Sequence, residues 1–268
     1  MKNNESSSGV RVEHHDTVFE IILNRPEKRN AIHWPMMEAL GKAIDKSEMT
    51  AGVRAVLIRG EGGGFSSGID LFAFPEVARA FGENWQDRML SVTAAFQSIL
   101  NKVEACSLPT IALLRGYALG LGFELALACD IRIAAHHTKI GLPETRLGLI
   151  PDVGGTTRLT RLIGPARAKE IIMTGRIVDL GLAEQWGLVN HVVPSAELEE
   201  KGKALVDEIA LAAPLAVSFA KRVIDDLVDI ERGLKLEAWA QNRLIHTEDF
   251  SIGVGSAIAK KTPVWRGK

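Results

Sequence analysis

Residues Gly116–Asp130 read GYALGLGFELALACD, a stretch inside which one carboxylate, Glu124, stands among apolar residues and glycines. An ionised carboxylate in such company costs several kcal/mol of lost hydration unless something compensates it. The flanking segments suggest the setting. TIALL (Thr110–Leu114) before it and IRIAA (Ile131–Ala135) after it have the composition of short buried strands. The glycines ALGLG then make a turn, and Leu121 falls at a helix N-terminus, where unpaired N–H groups and the helix dipole favour negative charge. Glu124 lies three residues further on, along the same face of that first helical turn.

A second glycine-rich turn has the same origin. AVLIR (Ala55–Arg59) is another short strand pattern, and it runs into GEGGGFSSG. Two such turns, each after a strand, can aim backbone N–H groups into one cleft and hold a developing oxyanion. The partner for Glu124 is Glu144, in GLPETRLGLIPDVGG (141–155). Pro143 restricts its backbone, and Ile140, Leu142, Leu147 and Ile150 surround it with apolar bulk. Two carboxyls beside one apolar cleft take different protonation states, because desolvation and mutual repulsion raise at least one pKa. Taken singly, each glutamate reads more readily as a dipole partner or a solvated loop acid; the joint pattern favours acid–base chemistry.

Other motifs compete weakly. Gly64-Phe65-Ser66-Ser67-Gly68 has the GxSxG form of a hydrolase elbow, but Glu61-Gly62-Gly63 separates it from its strand. Gly120-x-Gly122 is part of a dinucleotide fingerprint whose third glycine is replaced by Leu125. Cys106 and Cys129 match no zinc-ligand spacing and no disulfide scaffold, so a reducing, cytoplasmic location is expected, with neither metal nor redox cofactor.

At 268 residues with 46% hydrophobic content the chain can bury a substantial core, and a net charge of −1 argues against coating nucleic acid. No apolar run reaches membrane-spanning length, so no membrane partner is expected. A hairpin is predicted around His15-Asp16, a helix over Trp34–Ile44, a long helix over Asn84–Val103, and further helices over Ala166–Thr174 and Leu180–Trp186. Beyond Pro194 helices are predicted over Glu197–Ala212, Leu215–Val228 and Leu234–Leu244. The chain divides into an α/β body, 1–194, and a helical tail, 195–268.

These motifs, in this order, resemble the enoyl-CoA hydratase/isomerase (crotonase) family: LNRPEKRNAI, GFSSGIDL, PTIALLRGYALGLGFELALACDIRIA, GLPETRLGLIPDVGGTTRL and GLAEQWGLVNHVVP. The resemblance implies a spiral of ββα units, a C-terminal helical region that forms a homotrimer or a hexamer, and an acyl-CoA thioester substrate, with coenzyme A as part of the substrate. By motif position it implies an oxyanion hole from the backbone N–H groups of Ser67 and Leu121, and catalytic acids Glu124 and Glu144, the pair that family hydratases carry. Substrate contacts are implied at Ser67, Gly68, Ile69, Asp70 and Gly120, with phosphate contacts at Arg25, Lys28 and Arg29 and, from the tail, at Lys260 and Lys261. Asp152, where dienoyl-CoA isomerases of the family carry a catalytic aspartate, reads first as the N-cap of a helix over Gly155–Leu162 and second as a third acid. Hydration of a 2-trans-enoyl-CoA is the leading expectation, followed by double-bond isomerisation through Glu144 and Asp152, then thioester hydrolysis.

Overall fold

The computed structural model describes residues 8–212 and 214–226, residues 238, 239, 241 and 242, residues 244–261, and residue 263. The expected hairpin is present: β1 (Val10–His15) pairs antiparallel with β2 (Val18–Leu23), and Asp16 makes the turn at φ 52°. Every residue of β2 is buried, which explains its unbroken apolar composition apart from Glu20, whose carboxylate is held by Arg59 at 3.0 Å. From β2 the sheet runs parallel through β3 (Ala55–Gly60), β4 (Thr110–Leu114), β6 (Ile131–Ala135) and β9 (His191–Val193), in the order β1-β2-β3-β4-β6-β9. Parallel neighbours need crossovers, and α1 (Trp34–Met49), α3 (Met89–Ala105) and α4 (Leu121–Ala128) supply them.

A second sheet, not foreseen from the sequence, joins β5 (Tyr117–Leu119), β7 (Lys139–Gly141) and β8 (Ile177–Val178). Strands of two or three residues leave almost no alternation to read. Strand, short strand and helix thus repeat as the chain winds, giving the expected spiral of ββα units. Every residue of α4 is buried, so Glu124 is carried into the interior by a helix with no polar face.

The other differences from expectation lie between β3 and β4. A short helix, α2 (Phe74–Phe81), occupies a span with no predicted element, and the helix expected from Asn84 begins as a 3₁₀ turn at Trp85–Arg88 before α3. Pro75 at the start of α2 presets its first turn. After β7 come α5 (Gly155–Ile163) and α6 (Pro165–Thr174), and α7 (Leu180–Gln185) follows β8.

The tail begins with α8 (Leu198–Ala210), whose Leu198 and Val206 pack with Leu57, Ile111 and Leu113 on one face of the large sheet. Then follow α9 (Pro214–Asp226) and α10 (Glu248–Ala259). Most of the helix predicted over Leu234–Leu244 lies outside the described residues. Close contact binds α10 to the body: a Cβ added to Gly253 would stand 2.3 Å from the Leu147 carbonyl oxygen. Among the described residues no helix is long and apolar enough to cross a membrane.

Candidate active site

The two glycine turns meet. Ser66 and Ala118 form a parallel bridge, with the Ser66 N–H donating to the Tyr117 carbonyl at 3.1 Å and the Leu119 N–H to the Ser66 carbonyl at 3.0 Å. A Cβ built on Gly68, at φ 98°, would lie 3.5 Å from the Leu121 nitrogen. Gly120 caps α4 at φ 51°, and a Cβ there would come within 2.9 Å of Glu144 Oε1. Glycine at 120 is therefore required twice, by its backbone conformation and by the acid pressed against it.

The Leu121 N–H opens α4 and has no hydrogen-bond partner among the described residues. The expected second donor does not hold: the Ser67 N–H is spent on the Arg29 carbonyl at 3.1 Å. Two residues on, the Ile32 N–H donates to the Gly68 carbonyl and the Asp70 N–H to the Ile32 carbonyl, each at 2.8 Å. Successive N–H groups of an extended chain alternate in direction, so the Ile69 N–H between them points away from residue 32 and has no partner among the described residues. Ile69, expected only as a substrate contact, is thus the available donor on this turn.

Glu124 is 2% exposed, and its Oε1 accepts the N–H groups of Val153 at 2.9 Å and Gly155 at 2.8 Å. Two backbone donors on one oxygen supply the compensation that an isolated buried carboxylate lacks. The donating turn is itself braced. Arg158, 3% exposed, donates to the Val153 carbonyl at 3.1 Å and to Glu104 at 2.8 and 3.0 Å.

Glu144 starts a 3₁₀ turn, Glu144–Leu147, with Pro143 before it. Its Oε2 is buried and has no hydrogen-bond partner among the described residues. Burial pushes the carboxyl up to about 8, opposed by its own backbone and assisted by the charge of Asp152. At neutral pH Glu144 is therefore a proton-bearing acid. Asp152 is buried and does not sit at the capping position it was expected to fill, because α5 begins at Gly155 with Gly154 as its cap residue. Its Oδ2 accepts the Thr93 hydroxyl at 2.8 Å, and Gln97 donates to its carbonyl at 2.6 Å.

Asp152 and Val153 form part of the wall of a cavity of about 60 Å³, otherwise lined chiefly by apolar side chains such as Leu71, Trp85, Phe96 and Ile245. A larger cleft of about 550 Å³ lies elsewhere, against the C-terminal end of α4, where Lys221 pairs with Asp130 at 2.8 Å.

The other expected contacts divide. Lys28 and Arg29 are exposed, with the Arg29 guanidinium 4.8 Å from the centre of the Tyr117 ring. Arg25 is committed internally, to Asp70 at 3.0 Å and the Ala31 carbonyl at 2.7 Å, so this pair ties the loop together instead of presenting a free cation and a free acid. Lys260 and Lys261 are exposed at the end of α10. Ser66 is fully buried and its hydroxyl donates to the Asn30 carbonyl at 2.8 Å, which removes it as a hydrolase nucleophile.

The two sheets and the buried, acid-bearing helix α4 belong to a crotonase-type spiral. Residues 13–268 match the model of the enoyl-CoA hydratase/isomerase family, and the chain belongs to that family. It is 36% identical over 253 residues to the probable enoyl-CoA hydratase 2, mitochondrial, of Arabidopsis thaliana, covering 93% of this chain and 82% of that protein. With the putative enoyl-CoA hydratase/isomerase YngF of Bacillus subtilis it shares 38% identity over 92% of this chain and 94% of the other. The crystal structure of an enoyl-CoA hydratase from Mycobacterium avium subsp. paratuberculosis superposes with a TM-score of 0.85 at 25% identity, covering 96% of this chain and 98% of that one.

Proposed function

We propose that the protein adds water across the 2,3-double bond of a 2-trans-enoyl-CoA to give a 3-hydroxyacyl-CoA. The observation that carries this reading is the arrangement of Glu124 and Glu144 around the Gly120–Leu121 turn, with backbone donors on Glu124 and the Glu144 carboxyl pushed up by burial. The thioester carbonyl accepts the N–H groups of Leu121 and Ile69. Glu124, as carboxylate, takes a proton from water while the hydroxyl bonds to the β-carbon. The electron pair of the double bond passes to an enolate held by the two donors. Glu144 then gives its proton to the α-carbon, and proton exchange with solvent resets both acids. Backbone donors fixed by a strand bridge and a helix start need no reorganisation as charge develops.

The exposed Lys28 and Arg29 are assigned to the phosphates of coenzyme A, and Ser67–Asp70 to the adenine side. Large exposed apolar side chains, Met173 and Leu211 among them, support a homotrimer or a dimer of trimers. Two buried cysteines without a disulfide support the cytoplasm. Loss of conjugated-enoyl absorbance with crotonyl-CoA tests the reaction. Glu124→Gln and Glu144→Gln should each lower turnover by about 10²- to 10⁴-fold; undiminished turnover in Glu124→Gln refutes hydration. One observation favours a second reading, enoyl or dienoyl isomerisation: Asp152 lines the cavity and its charge acts on Glu144.

A further inference from the structure

We propose that the cavity selects a short 2-enoyl thioester bearing a hydroxyl on the carbon beyond the double bond, and that the amide of Gln241 receives that hydroxyl. This deepens the hydratase reading and rests on it. Gln241 is 5% exposed and lines the cavity. Its Oε1 is buried and has no hydrogen-bond partner among the described residues. A buried, unpaired amide oxygen against an apolar wall carries a desolvation cost that a donor on the occupant removes. The neighbouring Thr93 hydroxyl has its proton committed to Asp152 and is therefore no donor to the occupant.

Size limits the occupant as well. An apolar cavity of about 150 Å³ holds a benzene ring, so the 60 Å³ here has room for about two or three non-hydrogen atoms. One methylene and one hydroxyl fill it. A hydroxyl both donates and accepts, so either orientation of the Gln241 amide can bind it.

The test compares two thioesters of nearly equal size, 4-hydroxy-2-butenoyl-CoA and 2-pentenoyl-CoA, in which a hydroxyl replaces a methyl. The unaltered protein should favour the hydroxylated one by at least about tenfold in kcat/KM, because an unmet buried acceptor penalises the analogue that lacks the donor. Gln241→Leu should erase that preference, and Gln241→Met replaces it if the leucine variant does not fold. Equal rates, a preference for 2-pentenoyl-CoA, or a preference that survives in the variant would overturn the proposal. If neither of these thioesters nor crotonyl-CoA is hydrated, the hydratase reading itself fails. Calorimetric binding of the saturated 4-hydroxybutanoyl-CoA against pentanoyl-CoA then decides the cavity's preference alone: tighter binding of the hydroxy compound by about tenfold supports it, and equal binding overturns it.

Discussion

Arg158 and Val153 are joined by a hydrogen bond of 3.1 Å from guanidinium to carbonyl, and the N–H of the same Val153 points the other way, onto Glu124. The peptide chain at Val153 therefore transmits the position of a buried ion pair to a candidate catalytic carboxylate. Arg158→Met takes one of two guanidinium partners from Glu104, which keeps Arg161 at 3.1 Å, so the cost stays below the roughly 3–5 kcal/mol of a buried pair broken outright. The expected outcome is a clear loss of stability in urea titration, together with a fall in kcat larger than any change in KM.

The raised carboxyl of Glu144 sets the pH dependence. Its ordinary value of 4.5 applies in the unfolded chain, and about 8 applies in the folded one. The folded state thus binds the proton more tightly, so stability is full below pH 4.5 and falls as pH rises toward 8. Glu144→Gln removes the ionisable group. Its Tm should exceed that of the unaltered protein at pH 9, with the difference closing on approach to pH 4.5. On the proposed mechanism, in which Glu144 delivers its proton, the hydration rate should fall above about pH 8.

Asp152→Asn deletes the negative charge that helps keep the proton on Glu144. The alkaline limb of the hydration profile should move to lower pH while turnover of crotonyl-CoA near neutrality stays within about tenfold. If the protein instead migrates double bonds through Asp152, this variant abolishes that activity, as product analysis by chromatography would reveal.

At the far side of Glu144, Gly253→Val should separate α10 from the Glu144 turn, because the backbone carbonyl of Leu147 already occupies the space a side chain would need. Turnover should drop severely while far-ultraviolet circular dichroism, dominated by the sheets and the other helices, changes little.

Local chemistry made parts of this arrangement readable in advance. β2, β4 and β6 announced themselves as short, mainly apolar segments, each with a single polar residue, Glu20, Thr110 and Arg132, and the glycines around Leu121 marked a helix start with a carboxylate one turn in. The choice between Ser67 and Ile69 was not readable, because it depends on which side of Gly68 the Ile32 strand pairs, a contact between segments far apart in the sequence. Asp152 misled for a related reason: it has the chemistry of a cap, yet the helix begins only after two further residues. The second sheet went unseen because strands this short are fixed by their neighbours. Gln241 lies in the tail and enters the cavity only through tertiary packing, so nothing local flags it.

The contact between Gly253 and Leu147 also joins two segments that lie far apart in the chain. The large sheet is complete at β9, whereas the helix that presses on the Glu144 turn follows it in the chain. A nascent chain halted before α10, or one clipped there by a protease, would keep its strands yet lose the support of its acid. The setting of Glu144 therefore depends on a helix that the large sheet does without.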